Sequence, residues 1–168
     1  RLRMNLDRFT QKAQEAIYDA QQLAQELNHQ NLEPAQSLMA LLNQQDGVVP
    51  AVVTRVAGSV AGLRQAVQQD LQSRSKVYGS NPGQVGLSRP ASDVLSKAET
   101  IARGMQDEYV STEHILIALT DSIEGKQLAQ FGLTRDAILK ALVGVRGSQR
   151  VTSQNPEDTY QSLEKYGR

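Results

Sequence analysis

Between Phe9 and Thr120 the chain carries one pattern of apolar and polar positions twice. In the first copy the apolar positions are Ala13, Ala16, Ile17, Ala20, Leu23, Ala24 and Leu27; in the second they are Ala91, Val94, Leu95, Ala98, Ile101, Ala102 and Met105. The steps of three and one are those of a helix with one apolar face. A shift of 78 residues lays Phe9–Leu42 on Leu87–Thr120 without a gap. The match continues through Leu32/Val110, Leu38/Leu116, Met39/Ile117, Ala40/Ala118 and Leu41/Leu119. Pro34, suited to a first helical position, falls on Thr112, so Glu33 and Ser111 share a cap position. A fixed-period repeat of this kind sets the frame for every local reading.

Within that frame the pattern predicts eight helices. The first spans about Thr10–Asn28, with Thr10 as N-cap and Ser88 as its equivalent. The second runs from Pro34 to near Asn43. Val49, Val52, Val53 and Val56 give one face of a third, with Pro50 in its first turn, ended by Gly58-Ser59. The fourth, about Val60–Arg74, buries Leu63, Ala66, Val67 and Leu71. In the second copy the helices fall at about Arg89–Met105, Thr112–Thr120, Glu124–Phe131 and Arg135–Val145. The last is offset from the fourth by one residue after Gly132. No period-2 run is long enough to predict a strand, and Pro50 interrupts the one β-rich stretch, Val48–Val53. The fold class is therefore all-α: two pseudo-repeated four-helix bundles. The repeats occupy about 9–71 and 87–146, with a Gly- and Pro-containing join over 72–86. Residues 148–168 read as a linker and the start of a further unit, in which Pro156–Tyr166 predicts a short helix. Met4 reads as the start of a domain ending near 147, behind a tag remnant at 1–3.

Charge narrows the partners. Eighteen basic residues balance eighteen acidic ones, which disfavours nucleic acid, whose phosphates are bound by clustered Lys and Arg. The absence of cysteine excludes disulfides and thiolate metal sites and fits a reducing compartment. No apolar run approaches the roughly 20 residues of a membrane span. Enzyme motifs are absent. Gly125-Lys126 lacks the remaining elements of a phosphate loop, and His29 and His114 belong to no metal-ligand motif. No catalytic, metal or cofactor site is expected in this chain.

One constellation stands out. Asp107 and Glu113 bracket Tyr109 and Val110 just before the buried sixth helix. Each has a plain reading: Thr10 as an N-cap, Glu113 as a first-turn carboxylate suited to the helix dipole, His114 as a packing histidine, Tyr109 and Val110 as half-buried core. The sharper reading joins Thr10, Asp107, Tyr109, Val110 and Glu113, with Leu95 as a further apolar contact, into a groove where the two bundles meet. Two acids around an apolar pair suit a basic, partly apolar peptide. On that reading Glu113 is a solvent-exposed rim carboxylate worth about 1 kcal/mol or less, and Glu124 lies away from the groove.

The stretches Phe9-Thr10-x-x-Ala13-x-x-Ala16 and Val110-Ser111-Thr112-Glu113-His114-Ile115-Leu116-Ile117-Ala118-Leu119 resemble the duplicated N-terminal domain of Clp AAA+ chaperones. The tail, Val145–Tyr160 followed by Leu163–Arg168, is similar to the junction with an ATPase domain in the disaggregase branch of that family. The resemblance implies a cytoplasmic, substrate-binding module of an ATP-dependent protein disaggregase, capturing unfolded or aggregated polypeptide for a hexameric threading ring. It places that role on Thr10, Asp107 and Glu113. It also implies ATP and Mg only in absent ATPase domains, co-chaperones as possible partners, and a monomeric fragment. The alternatives are an adaptor-docking module and a structural or regulatory cap on the ring. Relatives that bind phosphoarginine carry Thr-Glu-His in both copies; here the first copy reads Pro34-Ala35-Gln36, so at most one such site remains, around Glu113.

Overall fold

The structure, a computed structural model, describes residues 5–78, 85–147 and 150–154. Among these lie eight helices: α1 (Gln11–Glu26), α2 (Pro34–Leu42), α3 (Val48–Ala57), α4 (Ala61–Ser73), α5 (Arg89–Gly104), α6 (Thr112–Leu119), α7 (Gly125–Gln130) and α8 (Arg135–Arg146). The all-α, twice-repeated helical architecture follows the apolar periodicity. The expected helix at Pro156–Tyr166 and the remnant at 1–3 lie outside the described residues.

Every residue of α2 and of α6 is buried. These two helices are the centre of the molecule, and α1 and α5 lay their Ala-rich faces on them. Small side chains permit close approach, and Leu38, Leu41, Leu116 and Leu119 fill the layer between with no exposed surface. Each such buried side chain stabilises the fold by roughly 1.5–3 kcal/mol. Ile17 is buried on α1, and Leu95 is half-buried on α5. On α4, Leu63, Val67 and Leu71 are buried while Ala66 is only half-buried.

The helix ends repeat as faithfully as the faces. Thr10 Oγ1 accepts from Ala13 N, and Ser88 Oγ from Ala91 N, both at 3.1 Å. Asn28 and Gln106, equivalent under the 78-residue shift, both adopt left-handed backbone, φ 59° and 62°. The chain then turns back so that His29 N donates to Ala24 O at 2.8 Å and Asp107 N to Ala102 O at 2.9 Å. These are the six-to-one bonds that satisfy the last carbonyls of a helix. Gly58 and Gly132, φ 89° and 80°, close α3 and α7.

The two copies are not side by side but interleaved. Helix α3 of the first packs on α8 and α6 of the second. A two-residue parallel strand pair, β1 (Asn31–Leu32) with β2 (Gly86–Leu87), joins the first copy's α1–α2 turn to the second copy's entry segment. The reciprocal pairing is a parallel bridge between Phe9 and Val110. Thr10 N donates to Val110 O at 2.9 Å, and Ser88 N to Leu32 O at 3.2 Å. Under the repeat these are one interaction made twice. Two-residue strands carry no legible periodicity, which is why the sequence predicts none of this pairing.

Candidate functional site

Where the second copy's α5–α6 turn meets the start of α1, five of the six candidate residues come together. The Phe9–Val110 bridge brings Thr10 against Val110. Tyr109, half-buried, carries Arg8 over its ring at 5.5 Å, and Arg8 Nη2 also donates to Glu108 O at 2.8 Å. Asp107 and Glu113 converge on Arg146 from opposite ends of the same turn. Leu95, on α5, packs against the core and is not joined to this junction by those contacts.

The burial differs from the expectation. Thr10 and Glu113 have no exposed surface, and Asp107 and Val110 are almost as deeply placed. Glu113 is therefore no rim carboxylate. Its Oε2 lies 3.4 Å from Arg146 Nη1, and neither of its oxygens has a hydrogen-bond partner among the described residues. The reason is register. Leu63, Val67 and Leu71 of α4 correspond to Ile138, Leu142 and Arg146 of α8, so a guanidinium stands where the first copy has a leucine. A cation placed inside draws carboxylates inside with it, because an unpaired buried charge costs several kcal/mol. Glu124, expected to lie away from the groove, is bonded to none of these groups but is also buried, and Arg74 Nη2 reaches it at 3.3 Å.

Asp107 is the most connected of these groups. Its Oδ1 accepts from Arg146 Nη2 at 2.7 Å and from Val151 N at 2.9 Å. Its Oδ2 lies 2.7 Å from His114 Nε2. The backbone N–H of Ser111 donates to His114 Nδ1 at 2.9 Å, so the ring proton sits on Nε2 and is donated to Asp107. Burial pushes the Asp107 carboxyl up, but these three donors outweigh it and hold the group at about 2.

The first copy builds the same chain of bonds from different side chains. Glu33 N donates to Gln36 Oε1 at 2.6 Å, and Gln36 Nε2 to His29 Nδ1 at 2.8 Å. His29 Nε2 then donates to Leu71 O at 3.2 Å. Gln36 is the equivalent of His114, and His29 of Asp107. In the first copy the relay is neutral, and burial lowers the His29 pKa. In the second it ends in a carboxylate, which recruits Arg146 and the backbone of residue 151. Arg146 and Val151 were not singled out by sequence; His114 was read as a packing histidine, which its buried hydrogen bonds bear out, but neither it nor His29 and Gln36 was placed in the site. The signal available was a charged residue, Arg146, on an otherwise apolar helical series.

The segment 150–154 completes the junction. Val151 has no exposed surface, and Glu108 N donates to its carbonyl at 2.7 Å. Gln11 N donates to Gln154 O at 2.8 Å, and Gln154 Nε2 to Asp7 O at 3.1 Å. No group of three or more His, Cys, Asp or Glu able to hold a metal occurs among the described residues. Nor does any helix there have the length and apolarity to cross a membrane.

Residues 8–135 match the family described as "Clp repeat (R) N-terminal domain". The chain is 40% identical to the chaperone protein ClpB of Nitratidesulfovibrio vulgaris over 171 residues, covering 98% of the chain and 20% of that protein. It is 38% identical to the ClpB of Bacillus anthracis over 169 residues, with the same coverage, 98% and 20%. The chain thus spans about a fifth of the length of the curated relatives it matches. Among solved structures, the Hsp104 N-terminal domain from Candida albicans superposes with a TM-score of 0.75 at 28% identity, over 90% of this chain and 99% of that one.

Proposed function

Because the chain belongs to the family of Clp repeat (R) N-terminal domains, and so is an N-terminal module of a Clp chaperone, we propose that it captures unfolded or aggregated polypeptide. On this reading it acts in the cytoplasm and delivers the captured chain to an ATP-driven, hexameric disaggregase ring. ATP and Mg belong to that ring, not to this module. The observation that carries the reading is the convergence of Thr10, Asp107, Tyr109, Val110 and Glu113 on one junction between the copies. The deep residues give that junction its shape. Tyr109, half-buried beside Arg8, is the one with a face left for a partner.

Capture of an unfolded chain is weak per contact, because the partner loses conformational entropy on binding. The test is titration with a permanently unfolded basic polypeptide and, in parallel, with a folded candidate adaptor. Tyr109→Ala is expected to weaken capture of the unfolded chain severalfold. Binding to the folded adaptor alone would instead favour the docking function, and binding to neither would defeat the capture reading.

A further inference from the structure

We propose that segment 150–154 is a built-in ligand of the capture site, lying where an extended strand of a captured polypeptide lies; the inference rests on the capture reading above. Residues 147–155 are mostly polar, yet Val151 among them is wholly buried. Most of its anchors are main-chain ones. Val151 N donates to Asp107 Oδ1 at 2.9 Å, Glu108 N to Val151 O at 2.7 Å, and Gln11 N to Gln154 O at 2.8 Å. Any extended polypeptide carries the same N–H and C=O groups, so these anchors recognise chain conformation and leave side-chain sequence unread. The selective element is the Val151 position, which takes one aliphatic side chain. Arg150 beside it is exposed next to Glu108, also exposed.

The first copy supplies an internal comparison. The segment after α4 also returns to its own α1–α2 turn, with Val77 N donating to Asn28 O at 2.7 Å. There, however, Val77 is 50% exposed, whereas Val151 is fully covered. The turn facing Val77 offers a neutral His29 relay in place of a carboxylate. Among the described residues, the second copy alone has both an acid to hold a backbone N–H and a closed aliphatic position. The ligand class is therefore an extended strand with an aliphatic residue, and the chain's own Arg-Val-Thr-Ser-Gln competes for the place from an effective concentration on the order of millimolar.

The 168-residue chain contains no cysteine, so a Gln11→Cys/Gln154→Cys pair, at positions joined by a 2.8 Å backbone hydrogen bond, introduces one engineered disulfide to lock the segment down, its formation checked by thiol titration. The probe is a labelled, unstructured peptide of alternating Val and Arg. Oxidation is expected to weaken binding at least about tenfold relative to the same protein reduced. Val151→Gly, which frees the segment, is expected to tighten it severalfold, while Ile123→Asp, at an exposed apolar position on the 120–124 turn, binds like the parent. Thermal melts separate any loss of fold from loss of binding. Equal binding by oxidised and reduced protein, or tighter binding when locked, overturns the inference and leaves the capture reading standing. Binding by none of the proteins overturns both.

Discussion

Asp107 shows what a single buried carboxylate contributes here. It lies between His114, Arg146 and Val151, and its pKa is held at about 2 against an ordinary 3.8. The folded state therefore binds fewer protons than the unfolded chain between those two values. The stabilisation is fully present above about pH 4 and is lost as the pH falls toward 2; it corresponds to about 2 kcal/mol. Urea melts are expected to lose that amount across the interval, and Asp107→Asn to flatten this part of the curve. His29, lowered below its usual 6.5 by burial, adds a loss that begins at higher pH, and Asp107→Asn leaves that part untouched. The sequence made Asp107 and Glu113 visible as a pair around Tyr109-Val110, but not their depth. Depth depended on Arg146, 33 residues beyond Glu113, whose place inside the molecule appears only when α8 is set against α4 at a shift of 75 residues, three short of the main register of 78. A carboxylate written before a helix reads as solvated until its cation is located.

At the scale of elements the repeat was legible because helices advertise themselves. The 3–1–3–3–1 steps lie within α1 and α5, the last step reaches their C-caps at Leu27 and Met105, and the caps at Thr10 and Ser88 lie where polar residues precede those runs. Each cap accepts one backbone N–H at 3.1 Å. Ser88→Ala is expected to lower the unfolding free energy by about 1 kcal/mol, and Thr10→Ala by a similar amount. Chemical denaturation of the two variants checks whether the copies, alike in geometry, are alike in energy. The connections were less legible. β1 and β2 are two residues each, too short for alternation to register. The packing of α3 on α8 joins elements from different copies, so neither copy's own pattern announces it.

That packing decides how the molecule behaves as a whole. Each copy's entry segment pairs with the other copy's first turn, Phe9 with Val110 and Leu87 with Leu32. With α3 resting on α6 and α8, neither copy has a complete core of its own. Unfolding is expected as one transition, with far-ultraviolet circular dichroism and Tyr fluorescence coincident along the denaturant axis. A chain ending at residue 78 is expected to remain largely unfolded. Two separated transitions would show the copies to be independent domains.

The reciprocal pairing has one more consequence. An interface that a chain makes with itself across an approximate two-fold axis is also one that two chains can make with each other. What favours the closed form is the length of the join between α4 and β2, residues 74–85, because loop closure is inexpensive only while the loop can span its ends. Deleting about half of those residues removes the span but none of the pairing surfaces. Such a variant is expected to exchange second copies between two chains and sediment as a domain-swapped dimer with unchanged helix content. A well-folded monomer after the deletion would show that the join is longer than the fold requires.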